Sequence, residues 1–170
     1  MATTTTNPTL STFEEALADL GVDLTRTTVD EFATTLDDIV RDPAVGVALP
    51  FDVTYPDSVT VDPTSAGLER ATTGVTPASF GVANYGSVFL PSTADGAEPV
   101  SLYPELHVPV VRADDILPDL PEALDRFGET ARDDDASAIV ATGPSATADM
   151  GDLIFGAHGP KAVHVVMLDE

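Results

Sequence analysis

Between residues 141 and 160 the chain reads ATGPSATADMGDLIFGAHGP, which crowds Ser145, Thr147, Asp149 and His158 between two Gly-Pro turns, Gly143-Pro144 and Gly159-Pro160. Hydroxyls that follow such a turn at a helix start suit an anionic group, because the first helical N–H groups lack partners and the helix dipole favours negative charge there. Gly143, Pro144, Ser145 and Thr147 therefore form one candidate ligand site, with Asp149 accepting from a ligand hydroxyl or amide. Arg112 closes the apolar run LHVPVVR and would pair with the anion if both strand ends open on the same carboxyl rim of a sheet. The same residues also read as plain structure: Ser145 or Thr147 as a helix cap, Asp149 as a favourable first-turn charge, Arg112 as a solvated cation.

His158-Gly159-Pro160 reads as a structural turn after a helix stop at Gly156, on the rim opposite Ser145. A nine-residue helix covers about 13 Å and would carry the chain across the sheet. His107 and His164 sit in apolar runs and read as core histidines with satisfied hydrogen bonds. The histidines lack metal-ligand spacing, and neither a P-loop nor a Gly-x-Ser-x-Gly elbow is present, so no metal site and no catalysis by this chain alone are expected.

The elements that must position these residues follow from periodicity and turn chemistry. The spacing predicts helices over 11–20, 28–40, 65–71, 118–132 and 147–155. The helix over 11–20 opens at the capping box Ser11-Thr12-Phe13-Glu14, and that over 118–132 is capped from Asp114 or Asp115. Short strands are expected at 44–49, 106–112 and 137–141, with 52–61 loosely alternating. Pro109 suggests that 106–112 is an edge or bulged strand. Phe80-Gly81-Val82-Ala83 and Ser87-Val88-Phe89-Leu90 flank Asn84-Tyr85-Gly86 as a hairpin or sharp bend. Residues 91–99 and 133–135 read as polar loops. The apolar run 162–168 suits a central strand covered on both faces. Alternating strands and helices in the second half imply a three-layer α/β/α domain over 11–170 with a mostly parallel sheet, after a disordered Thr-rich lead at 1–10.

Composition narrows the class. Of 170 residues, 29 are acidic and 7 basic, for a net charge of −22, yet 43% are hydrophobic, which supplies a core. Twenty of the acids are Asp, and Lys161 is the only lysine. Such a chain repels itself in dilute buffer, whereas at about 1 M salt the Debye length falls to roughly 3 Å. A cytoplasmic protein of a halophile fits these numbers. Nucleic-acid binding does not, since phosphate neutralisation needs basic patches. The chain has no Cys, so it supplies no disulfide, thiolate nucleophile or Cys-ligated cluster. MATTTTNPTL has neither a basic lead nor an apolar run, and no stretch approaches eighteen apolar residues, so neither a signal peptide nor a membrane span is expected.

Three separated blocks resemble the LUD-domain family of lactate-utilisation proteins. TGPSATADMGDLIFGAHGPKAVHVVMLD resembles its GPSxTAD…GxHGP signature, TGVTPASFGVANYGSVFL its Glu-Thr-Gly-Thr block, and SLYPELHVPVVRADDILPDLPEAL its Ser-Leu-x-Pro block with the following helix. The resemblance spans roughly residues 64 to 170 and implies a NagB/RpiA/CoA-transferase-like fold. It also implies an accessory role in oxidising L-lactate to pyruvate, with iron–sulfur clusters on partner subunits and no cofactor in this chain. On it, Gly86 and Ser87 match the Gly-Thr of the second block and join the ligand-binding candidates. The family's Glu-Thr before that glycine is Asn84-Tyr85 here, and its Arg before the motif Thr is Ala146. The alternative is a small-molecule enzyme or binder of the same superfold, taking a phosphate-, CoA- or folate-type anion.

Overall fold

The computed structural model describes residues 7–134 and 136–169. Six strands form the central sheet: β1 (Asp23–Thr28), β2 (Ala44–Gly46), β3 (Val59–Val61), β4 (Thr73–Pro77), β7 (Leu106–Arg112) and β12 (Ala162–Asp169), in the order β1-β12-β7-β4-β2-β3. Every neighbouring pair is parallel. Four more strands build a second sheet, β8-β5-β6-β9: β5 (Phe80–Val82), β6 (Ser87–Pro91), β8 (Ile116–Leu117) and β9 (Ala138–Thr142). Among the described residues the last two strands, β10 (Ala146–Asp149) and β11 (Asp152–Phe155), pair only with each other.

β12 is buried on both faces, being apolar except at His164 and its terminal Asp169. Val163, Val165 and Met167 pack toward helix α1 (Pro8–Asp19) and the second sheet. Val166 and Leu168 pack with Phe32 and Leu36 of α2 (Phe32–Ile39). α3 (Ser65–Arg70) links β3 to β4, and α4 (Ala97–Leu102) lies against Gly74, where a Cβ would strike the carbonyl of Val100. α5 (Leu120–Asp134) covers the second sheet, with Ala123 and Phe127 meeting Phe80 and Phe89.

The α/β class with a parallel central sheet is therefore as expected, and the bend at 80–90 is an antiparallel hairpin turning through Gly86 at φ 59°. Several elements differ. The expected helix over 147–155 is the hairpin β10–β11, turned at Met150-Gly151 with both residues at positive φ. The strand at 137–141 is β9, antiparallel to β6 and outside the central sheet. β1, β4 and α4 arise where connections were expected. Pro109 lies in a central strand: β7 keeps its register with β4 there, while its paired residues with β12 lapse between His107 and Val110. α1 begins at Pro8, where Asn7 Oδ1 accepts from the Thr9 amide, so Ser11 stands inside the helix. Residues 1–6 of the expected lead lie outside the described residues. The α5 cap is Asp119, whose carboxylate accepts from the Glu122 amide, and residues 133–134 extend that helix rather than form a loop. Asp135 lies outside the described residues. The second helix starts at Phe32, leaving Val29 exposed.

Candidate functional site

The direction of β9 decides where the motifs meet. Because β9 runs antiparallel to β6, pairing Pro91 with Ala138 and Ser87 with Thr142, it ends beside the start of β6. A Cβ at Gly86 would press within 3.1 Å of the Ala16 and Leu17 backbone of α1, and Gly143 faces Leu20 and Val22 just before β1. This is the amino-terminal edge of the parallel sheet.

Three tight contacts knit that edge. Ser87 Oγ and Thr142 Oγ1 share a hydrogen bond of 2.6 Å. Ser145 donates its amide to the Pro160 carbonyl at 2.9 Å and accepts from the Gly156 amide at 2.9 Å. Gly159 lies under Ser145, whose Cβ is 3.0 Å from where a glycine Cβ would project. The hairpin β10–β11 thus leaves the body and returns through one clasp formed by Thr142–Ser145 and Gly156–Pro160.

The clasp overturns the spatial reading made from the sequence. No helix starts at Ser145, and its amide is already bonded, so the expected anion cradle of free N–H groups is absent. Arg112 ends β7 on the carboxyl edge, opposite Leu168, whereas Pro160 precedes the amino end of β12. The seven-residue β7 between them spans about 20 Å from first to last residue. Ser145 and His158-Gly159-Pro160, expected on opposite rims, are neighbours. Of the sequence candidates, Gly86, Ser87, Gly143, Pro144, Ser145, His158, Gly159 and Pro160 come together. Thr147 and Asp149 fall on β10, in register with Ile154 and Asp152 of β11. Arg112 is elsewhere.

Behind the clasp is a cavity of about 240 Å³, walled by Leu90, Leu102 and Ile139 and reached by Ser145 and His158. His107 also lines it, fully buried, and its Nε2 shares a 2.9 Å hydrogen bond with Thr76 Oγ1. Burial pushes the His107 pKa down to about 3, so the ring is neutral and cannot serve as a cation for an anionic ligand. His164 is lowered by burial as well and bonds Thr25 Oγ1 at 2.8 Å, so both internal histidines are satisfied as expected. Among the described residues no group of His, Asp or Glu is placed to hold a metal. No helix among them is long and apolar enough to cross a membrane.

The hairpin itself is the unusual surface. Met150 is 99% exposed, Leu153 65%, Phe155 51% and Ile154 43%. Leu153 and Phe155 share one face with their partners Ala148 and Ala146, since side chains alternate along a strand. A two-stranded ribbon with bare apolar residues is marginal alone. Sequence reading missed it because Thr147, Met150 and Ile154 mimic helical spacing. The isolated Gly151 within that pattern was the available signal for a turn.

Comparison with known proteins agrees with the placement of the three motif blocks. A profile of the LUD domain matches residues 63–168. A protein of Bacillus licheniformis named "Lactate utilization protein C" is 35% identical over 118 residues, 66% of this chain and 49% of that protein. "Uncharacterized protein YkgG" of Escherichia coli is 34% identical over 106 residues, 59% of this chain and 46% of that one. The chain thus spans about half the length of the curated relatives it matches. A crystal structure of a DUF162 family protein from Deinococcus radiodurans superposes with a TM-score of 0.73 at 22% identity, covering 95% of this chain and 97% of that one, and so shares the fold. With more than half of its length matched by the domain profile, the chain belongs to the LUD domain family.

Proposed function

We propose that this chain is a partner-binding component of a lactate-utilisation system, that it performs no redox step alone, and that the hairpin β10–β11 is its docking element. The exposed apolar hairpin, held out by the family's own motif residues, carries this reading. The names of the Bacillus relatives supply the process. A chain without Cys cannot itself ligate a cluster through thiolates, so the iron–sulfur centres of such a system would reside on the partner. The partner's cognate surface would be apolar at its centre, to cover Leu153 and Phe155.

The test is recovery of a cluster-bearing protein by tagged chain from its lactate-grown source cells, scored by iron and acid-labile sulfide. Recovery by the native chain and loss with Phe155→Asp is the expected pattern. Extraction belongs in molar KCl, because the same proposal places the chain in a high-salt cytoplasm. The melting temperature should then rise steeply between 0.1 and about 3 M KCl as self-repulsion is screened, and a flat profile would remove the halophile part of the reading.

A further inference from the structure

The carboxyl edge of the central sheet carries a second, unassigned feature. From β2 the chain steps outward to β3, then crosses back to β4 on the other side of β2 and proceeds away through β7 to β12. Strand succession therefore reverses between β2 and β4, which pair in parallel from Ala44↔Thr73 to Gly46↔Val75. At such a reversal the connections diverge beyond the carboxyl ends and leave a crevice, the place where open α/β sheets bind ligands. A cleft of about 380 Å³ lies there. Leu49 and Pro50, following β2, form one wall. Ala78 and Ser79, following β4, form another, and Thr93 and Asp95, beyond β6, close the third side. The volume lies in the range of small-molecule sites.

The lining restricts what fits. Leu49, Pro50 and Ala78 offer an apolar wall. Among the described residues no lysine, arginine or histidine lines the cleft, and the one charged group there is the Asp95 carboxylate. The backbone amides at the β4 exit are engaged: Ala78 donates to Val110 and Ser79 to Phe89, each at 2.8 Å. The side chains of Ser79, Thr93 and Asp95 add polar groups: the two hydroxyls can donate or accept, while the Asp95 carboxylate only accepts and repels a second anion. We propose that this switch-point cleft binds a compact, uncharged molecule with an apolar body and an N–H or O–H donor, and that it rejects carboxylates and phosphates, L-lactate included.

Benzamide and benzoate test this directly, since they share a ring and differ in carrying a neutral donor or an anionic acceptor. Each is titrated into the folded chain in about 1 M KCl and followed by amide NMR. Benzamide should cause saturable shifts centred on Ser79, Thr93 and Asp95, with benzoate at least about tenfold weaker, because bringing its carboxylate against Asp95 is costly even when long-range charge is screened. Ser79→Phe and Thr93→Phe, both at the cleft mouth, should each abolish the benzamide shifts while leaving partner recovery by the hairpin intact. Equal or tighter benzoate binding, shifts centred on Ser145 and His158, or no saturable benzamide response from the folded chain would each overturn the proposal. Loss of the partner alone would leave this cleft standing and remove only the docking reading.

Discussion

The two edges of the central sheet are built in opposite ways. At the amino edge the motif residues consume their own polar groups: Ser87 bonds Thr142, and Ser145 bonds Pro160 and Gly156. What that edge exposes includes the apolar Met150, Leu153, Ile154 and Phe155 of the hairpin β10–β11. At the carboxyl edge the cleft at the strand-order reversal is lined by none of the GPSxTAD or GxHGP residues, and the Asp95 carboxylate and two hydroxyls stand beside an apolar wall. The difference teaches that a family signature can mark a mechanical clasp, while the place fit for a small molecule follows from topology.

The contrast breaks most violently at Gly86. A side chain there would meet Ala16 and Leu17 backbone at 3.1 Å in a left-handed conformation, so Gly86→Val should cost about 3 kcal/mol or more, read as a lowered urea midpoint. A mild effect would show that the clasp yields and does not fix the hairpin.

His107 sharpens the same edge through pH. Its folded-state pKa near 3 lies below the ordinary 6.5, so between these values the unfolded chain binds the extra proton and stability falls as pH drops through that window. At pH 5 the difference of 1.5 pH units amounts to about 2 kcal/mol, a penalty that His107→Gln should remove from the pH dependence. Equal slopes for native and variant protein between pH 6.5 and 5 would place the ring in contact with water. Above pH 6.5 this group contributes no slope.

Met150 gives the smallest effect and the finest discrimination. It holds φ 50° in a two-residue turn before Gly151, where Asn is at home. Met150→Asn should stabilise the hairpin by about 0.5 kcal/mol, seen as slower amide exchange across β10 and β11, while weakening partner recovery. Stabilisation without weaker docking would take Met150 out of the contact surface.

Legibility in the sequence followed local self-sufficiency. β7, β12 and α5 carry uninterrupted apolar patterns and were readable to within a few residues, as was the hairpin around Gly86. β4 was not, because Gly74 and Pro77 look like breakers. Glycine is there to admit the backbone of α4, a neighbour invisible from position 74 alone. With β4 unseen, its carboxyl end and the cleft beside Ser79 could not be placed. The clasp failed for a different reason. Periodicity gave β9 an existence but no direction, and its antiparallel course moved Ser145 to the rim opposite Arg112. The residues that gather there were nevertheless named, since the Gly-Pro turns and the Gly86-Ser87 pair are sequence features whatever sheet they join.

The docking claim is tested most directly by Phe155→Asp, which puts a carboxylate on an already exposed position without touching the clasp. Iron and sulfide recovered with the tagged chain from lactate-grown cells should fall at least about tenfold, roughly 1.4 kcal/mol of binding, with the melting temperature unchanged. Undiminished recovery of the cluster-bearing partner by the variant would contradict the account.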